Sequence, residues 1–395
     1  MTSWTFDVDS EEIRFHALTD GEVHYTWSTT QSGKSGKGTF TRGIAGAVSL
    51  TNLDIPANDT LILSMEPENL KRFYMVDNSD DSFNDELVDV AQWGAVSWSS
   101  MDSAFYRCRF LTISASDAPD LSNVTSMRFL FREAIEFNSP IGHWDVSNVT
   151  DMGFMFSFAN AFNQKVGDWD VSNVTDMSGM FSNMQGFNQP VDRWDVSNVT
   201  DMNGMFYDAR SFNQNLGKWQ LNEAVDLTGM LSFSDLNCEN YTSTLIGWYE
   251  NRPEVTNVSL AADGLAYGTN AETVREILIN ERNWIISGDL SSGTRCGESS
   301  SEDESISDDE DETTEEKPLG FSAPSEMNSY PIPTKDYLTI EASETQTIRV
   351  MSLDGRIVIE TEIQPGANTI DLSASPAGSY LIKTESGQEQ RVIKK

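Results

Sequence analysis

Cysteine and histidine are scarce in this chain of 395 residues, which has three of each. Cys108, Cys238 and Cys296 are too few for a disulfide-dense scaffold or a four-cysteine zinc site. His16, His24 and His143 leave little material for a histidine-rich metal centre. Positive charge is short as well: 26 Lys and Arg stand against 62 Asp and Glu, a formal charge of −36. A field of that sign repels the phosphates of nucleic acids and of anionic membrane surfaces. No run approaches the roughly 20 apolar residues of a membrane-spanning helix. The opening residues, MTSWTFDVDS, lack the basic and apolar stretches of a signal peptide. Core material is plentiful, with 38% hydrophobic residues that include ten Trp and twenty Phe. The length sets an expectation of about two to three domains.

The middle of the chain repeats every 25 residues. Trp144, Trp169, Trp194 and Trp219 keep that step, as do Met127, Met152, Met177 and Met202, with Leu227 following. Phe131, Phe156, Phe181 and Phe206 keep it too, and so do the Phe-Asn pairs beginning at Phe137, Phe162, Phe187 and Phe212. The tetrapeptide S-N-V-T recurs at 122–125, 147–150, 172–175 and 197–200, and Met101 and Phe105 mark a degenerate earlier copy. A period in this range is the mark of a solenoid, whose units share one core because no unit buries its own apolar face. Alternation at Trp194 and Val196 predicts a short strand. Met202, Met205, Phe206 and Ala209, at i, i+3, i+4 and i+7, predict a short helix. Strict recurrence of the Trp, Met and Phe columns assigns them to packing, and the recurring Asn residues to a ladder of turn hydrogen bonds.

A binding surface has to come from the outward positions. On the predicted strand these are Asp145 and Ser147, Asp170 and Ser172, Asp195 and Ser197, and Gln220 and Asn222, a polar and acidic sheet face. His143 shares a column with Asp168, Arg193 and Lys218, which marks a solvated position and not a catalytic imidazole. The N-V-T copies match the glycosylation pattern, but their common phase assigns them to the turn they build. Asp145 and Asp151, with their equivalents Asp170 and Asp176 and Asp195 and Asp201, offer oxygen to calcium, weakly at best, because no D-x-D-x-D-G loop is present. No other cofactor is expected. A glycan hydrolase would need two carboxylates about 5 to 10 Å apart, and no acidic pair breaks the repeat phase. The expectation is a protein without catalytic residues.

On either side of the repeat the pattern changes. Residues 1–90 carry short strand candidates between Gly, Ser, Asn and Asp turns, among them 23–27, 47–50 and 61–65, and read as a small β-sandwich. S-G-K-S-G-K-G at 32–38 lacks the spacing of a phosphate loop and reads as a hairpin loop. From 298 to 317 eleven of twenty residues are acidic and only Lys317 is basic, so segment 298–329 is expected to be a disordered linker. Strand patterns follow at 337–341, 347–352, 357–361, 368–372, 379–384 and 390–395. The resulting division is 1–90, a β domain; 91–235, the repeat; 236–297, its C-terminal cap; 298–329, the linker; and 330–395, a second β domain.

The run F-N-Q-x-V-x-x-W-D-V-S-N-V-T-D-M-x-x-M-F, clearest at 162–181 and 187–206, resembles the BspA-like leucine-rich-repeat surface proteins of bacteria. The resemblance covers residues 93 to 290, and within it the amphipathic segment 271–279 suits a helix laid over the last repeat. The tail resembles the C-terminal sorting domain of type IX secretion systems, through Y-P-I-P-T-K-D-Y-L (330–338), L-D-G-R (353–356), P-A-G-S-Y-L-I-K (376–383) and Lys394-Lys395. Ile332 stands where that family usually has Asn. Together these imply a multidomain fold: a small N-terminal β domain, a leucine-rich-repeat-like solenoid and a C-terminal β-sandwich sorting domain. They also imply a secreted or outer-surface protein that meets the secretion machinery through its tail, with its leader missing from this chain. Export makes a Cys238–Cys296 disulfide reasonable, with Cys108 left as a buried thiol. The expected function is non-catalytic binding or adhesion to a protein or polysaccharide at a cell surface. The alternatives are a spacer that displays the N-terminal domain and, well behind it, a glycan-acting enzyme.

Overall fold

The computed structural model describes residues 1–44, 46–75 and 82–296, together with 332–334, 337–342, 345–352, 357–373, 375, 378–384 and 389–394. The chain divides into two compact units, Met1–Ser299 and Ser300–Lys395. The expected linker, 298–329, lies outside the described residues.

The first unit opens with β1 (Thr2–Thr5), β2 (Ser10–Thr19), β3 (Val23–Thr29), β4 (Ser35–Phe40), β5 (Gly46–Ile55), β6 (Thr60–Met65) and β7 (Leu70–Tyr74). The short helix α1 (Ser82–Asp85), β8 (Leu87–Val90) and β9 (Thr112–Ile113) follow. One sheet has the order β4-β3-β6-β1-β8-β9 and the other β5-β2-β7. Alternation along β2 buries Ile13, Phe15 and Ala17. Phe15 packs on Trp4 of the other sheet with ring centroids 6.4 Å apart, and on Phe40 at 5.7 Å. The S-G-K-S-G-K-G segment enters the β3–β4 hairpin, where Gly36 pairs with Trp27 and Gly38 with Tyr25. A Cβ at Gly36 would lie 2.6 Å from Trp27 Nε1, and one at Gly38 2.5 Å from Tyr25 Oη. Those glycines make room for aromatic rings, the cross-strand device that shields a strand glycine. Asp59 holds the hairpin loop by accepting from the backbone N–H groups of Gln31 (2.9 Å) and Ser32 (2.8 Å).

The sandwich runs into the repeat without a break. β8 pairs in parallel with β9, Met75 N–H donates to Ser103 C=O at 3.0 Å, and Ser99 N–H donates to Lys71 C=O at 2.9 Å. One hydrophobic core continues from Trp4 to Ile286.

Successive copies stack in register. Single parallel bridges join Ser126, Asp151, Asp176, Asp201 and Asp226 in series. The N–H groups of Met127, Phe129, Phe131 and Glu133 donate to Asp151, Gly153, Met155 and Ser157 of the next copy, while Leu130 and Ala134 bond back to Met127 and Phe131. This corrects the expected strand and helix of each copy. The residues around Trp194 and Val196 form turns, and so do those from Met202 to Ala209. Gly204 and Asp208 have φ of 60° and 53°, as their counterparts Gly179 and Asn183 have 57° and 57°. Left-handed residues at that spacing forbid an α-helix. The helical spacing is nevertheless buried, with Met202, Met205, Phe206 and Ala209 all fully inside. Phe131, Phe156, Phe181 and Phe206 stack at 5.6, 5.6 and 5.5 Å.

Indole hydrogen bonds run alongside the phenyl stack. Trp169, Trp194 and Trp219 donate Nε1–H to the carbonyls of Ile141 (3.3 Å), Val166 (3.0 Å) and Val191 (2.9 Å). The closing segment imitates this series. Trp248, on helix α2 (Cys238–Asn251), donates to Leu216 C=O at 2.9 Å, and Trp284 donates to Val255 C=O at 3.0 Å. Gly247 of α2 lies against Gly217, an approach that no side chain would allow. Helix α3 (Glu272–Asn280) forms as expected, yet it is α2 that seats on the last copy. Two parallel pairs, β10 (Ser259–Ala261) with β12 (Ile285–Ser287) and β11 (Ala266–Tyr267) with β13 (Leu290–Ser291), complete the unit. Tyr241 Oη and Arg275 both donate to the carboxylate of Asp289, whose side chain is fully buried, at 3.0 and 2.7 Å. Cys238 and Cys296 form a disulfide with Cα atoms 5.8 Å apart, and Cys108 is a buried thiol whose burial pushes its pKa up.

The second unit contains β14 (Ile332–Thr334), β15 (Tyr337–Ala342), β16 (Gln346–Ser352), β17 (Ile357–Ile363), β18 (Gly366–Asp371), β19 (Gly378–Thr384) and β20 (Glu389–Lys394). A five-stranded sheet, β14-β20-β19-β16-β17, accompanies the pair β15-β18 over a small core that includes Ile348, Val350, Ile363 and Ile382. Every expected strand of the tail is present, and β14, at the position of Ile332, adds one.

Candidate functional site

The residues expected to line a binding face do share one row, at turns instead of on a strand. Asp145, Asp170, Asp195 and Gln220 are exposed, while Ser147, Ser172, Ser197 and Asn222 are half-buried beside them. Each aspartate spends its Oδ1 on its own turn. Asp145 accepts from Ser147 N–H at 3.1 Å and from Ser147 Oγ at 2.7 Å, and Asp170 and Asp195 repeat the arrangement with Ser172 and Ser197. Hydrogen bonds from the Ser147 hydroxyl and backbone hold the Asp145 carboxyl below its usual range, and Ser172 does the same for Asp170. Asn173, Asn198 and Asn222 tie the row together by donating Nδ2–H to the carbonyls of Ser147, Ser172 and Ser197, each at 2.7 Å. A second ladder forms behind the Phe column, where Asn138 Oδ1 accepts from Asn163 N–H and Asn163 Oδ1 from Asn188 N–H, both at 3.0 Å.

Six residues further along each copy is a second aspartate column, Asp151, Asp176, Asp201 and Asp226. Arg128 enters at one end and reaches Asp151 Oδ1 at 3.4 Å and Asp176 Oδ2 at 2.7 Å. Burial raises the carboxyls of Asp151 and Asp201, and for Asp201 the like charges of Asp176 and Asp226 add to it. Among the described residues no group of three His, Cys, Asp or Glu is placed to hold a metal ion.

The histidines do not converge. His143 is exposed, His24 is exposed beside Glu22 at 3.6 Å, and His16 lies against Tyr74 with its pKa lowered by burial.

The structure brings together a group that the repeat arithmetic passed over. Phe129 and Phe154 stack at 5.6 Å, with the Arg128 guanidinium 5.0 and 5.4 Å from the two ring centres and that of Arg132 5.4 and 5.7 Å away. The signal was in the columns. Arg128 aligns with Gly153, Ser178, Asn203 and Thr228, and Phe129 with Phe154, Gly179, Gly204 and Gly229. Ser103 of the degenerate earlier copy also departs from glycine, and Phe154 fills the space beside Gly179.

Two family models match the chain. One, described as a Mycoplasma protein of unknown function, DUF285, matches residues 61–134, 99–219 and 125–246. The other, the secretion system C-terminal sorting domain, matches residues 328–395. No curated protein and no solved structure matches. The tail is therefore a sorting domain of the type IX kind, which implies a secreted or cell-surface protein that interacts with the secretion machinery. Among the described residues no helix is long and apolar enough to cross a membrane.

Proposed function

We propose that this chain is a non-catalytic surface protein that binds a protein or polysaccharide ligand. In this reading residues 91–297 are a capped leucine-rich-repeat-like solenoid of the BspA-like kind, and the N-terminal sandwich is a second display domain. The observation that carries it is the sorting domain at 328–395, joined in one chain to a long stacked repeat. The exposed row from Asp145 to Asn222 supports it, since a rigid series of outward carboxylates at a constant step suits an extended ligand. No catalysis and no resident cofactor belong to this reading.

The test is retention of the full chain on cells or polysaccharide, with export compared in a strain whose copy lacks 328–395. Extracellular protein that binds, and loss of export on deletion, are expected. Export without any surface retention overturns the binding reading. It would favour the spacer, a reading that one observation already recommends: each Asp of the row already bonds its own serine.

A further inference from the structure

Resting on the surface-binding reading but away from the aspartate row, we propose that a cleft between β7 and the first repeat copies binds a carboxylate-bearing sugar. The cleft holds about 350 Å³ and is lined by Arg72, Tyr74, Ser103, Tyr106, Phe129 and Arg132, with Met75 at its base. That volume lies at the lower end of small-molecule sites, about 300–1,000 Å³.

Charge comes from the two arginines. Arg72 donates Nη2–H to Asp102 C=O at 3.0 Å and lies 3.8 Å from the Asp102 carboxylate. Arg132 Nε is 3.5 Å from Glu133 Oε1 without hydrogen-bond alignment, because Glu133 is taken by Arg107 Nε at 2.9 Å. Among the described residues the buried Nε of Arg72 and that of Arg132 have no hydrogen-bond partner. Those Nε atoms are closed to solvent, so a cleft ligand meets the remaining nitrogens of two side chains that are 23% and 32% exposed, and a carboxylate is the acceptor a guanidinium fits best. The apolar half of the site is aromatic. Arg72 lies 4.2 Å over the Tyr74 ring and Arg132 5.4 Å over that of Phe129, so each guanidinium comes paired with an aromatic ring. A pyranose with a carboxylate matches this pairing of a flat apolar face with an anion.

The backbone supplies a separate reason. Ser103, Phe129 and Phe154 have φ of 55°, 58° and 55° in the column where Gly179, Gly204 and Gly229 have 57°, 60° and 66°. A bulky side chain is strained there. The column faces outward, so the ring gains only partial burial in return. Strain kept in the first three copies, two of which line the cleft, and relieved by glycine in the later ones points to a use at the surface.

Calorimetric titration of the full chain with hexagalacturonate and with sialyllactose tests the assignment, with neutral galacto-oligosaccharide and tri-glutamate as controls. One or both acidic sugars should bind, with the neutral sugar and the peptide at least tenfold weaker. Phe129→Gly, which installs the residue of later copies, should weaken binding at least tenfold while the unfolding midpoint stays level or rises. Arg132→Gln should weaken it similarly, and Glu250→Gln, at an exposed position of α2, should leave it unchanged. Failure of both acidic sugars to bind, binding untouched by Phe129→Gly, or equal affinity for tri-glutamate would each overturn the proposal. Surface retention that persists in Phe129→Gly would also overturn the cleft and leave the wider reading standing. Acidic-sugar binding with no surface retention would break the wider reading alone.

Discussion

Two rows of aspartate run along the same stack, six residues apart in three successive copies, and Asp145 and Asp170 of one behave oppositely to Asp151 and Asp201 of the other. In the row of Asp145 and Asp170, hydrogen bonds from serine favour the charged form at an exposed turn. In the row of Asp151 and Asp201, burial disfavours it, and bridges stack like charges one repeat apart. Composition counts all of them as the same negative charge. What separates them is burial, because Asp151 and Asp201 also accept from the N–H groups of Gly153 and Asn203 and yet their desolvation outweighs those bonds.

The comparison supposes that a common core holds both rows, and the largest expected effect tests that. Phe181 is fully buried and stacks on Phe156 and Phe206. Phe181→Ala should cost about 3–5 kcal/mol in denaturant unfolding, and a loss below about 1 kcal/mol would mean the rows stand without the stack. The cap comes next. Cys238→Ser removes the link that closes a 58-residue separation, which should cost about 2–4 kcal/mol, read as a lower unfolding midpoint that reductant also produces in the parent chain. Gly179→Ala should cost roughly 1–2 kcal/mol, since φ is 57° and the new methyl would overlap the Phe154 ring.

The smallest effect is the sharpest, because it concerns sign. Asp170 has a lowered folded pKa, so its charge stabilises above the ordinary carboxylate range and that contribution is lost as pH falls through the folded value. Asp201 has a raised folded pKa, so the native state holds its proton longer and stability declines as pH rises through the interval. At neutral pH Asp170→Asn should destabilise and Asp201→Asn should stabilise, each by less than about 1 kcal/mol. The differences should vanish in acid, once each carboxyl is protonated in both states. Equal signs in paired melting curves would erase the distinction between the rows.

Much of this was legible in the residues. The 25-residue step identified the Trp, Met and Phe columns as core and the Asn ladders as turn bonds, and strand patterns between turn signals identified the six strands of the tail, because burial and turn chemistry are written locally in sequence. The helix expected from Met202 to Ala209 was not there. Spacing reports which side chains turn inward, but it does not distinguish an α-helix from turns whose N–H groups alternate between their own copy and the next. The sign of φ at Gly204 and Asp208 decides that, and periodicity does not carry it. The cluster of Arg128, Phe129, Arg132 and Phe154 left a trace only as departures from the common pattern.

The residues alone therefore determined a repeating core and an acidic surface, since these follow from local composition and periodicity, while export was implied by the tail's resemblance to a sorting domain. Only the tertiary structure decided which aspartates burial raises, where α2 closes the stack, and that Arg72 of the sandwich lines the same cleft as Arg132 of the repeat. The seat of α2, the Arg128–Asp176 pair and the cleft depend on neighbours 32, 48 and 60 residues apart in sequence, brought together by packing that no local pattern encodes.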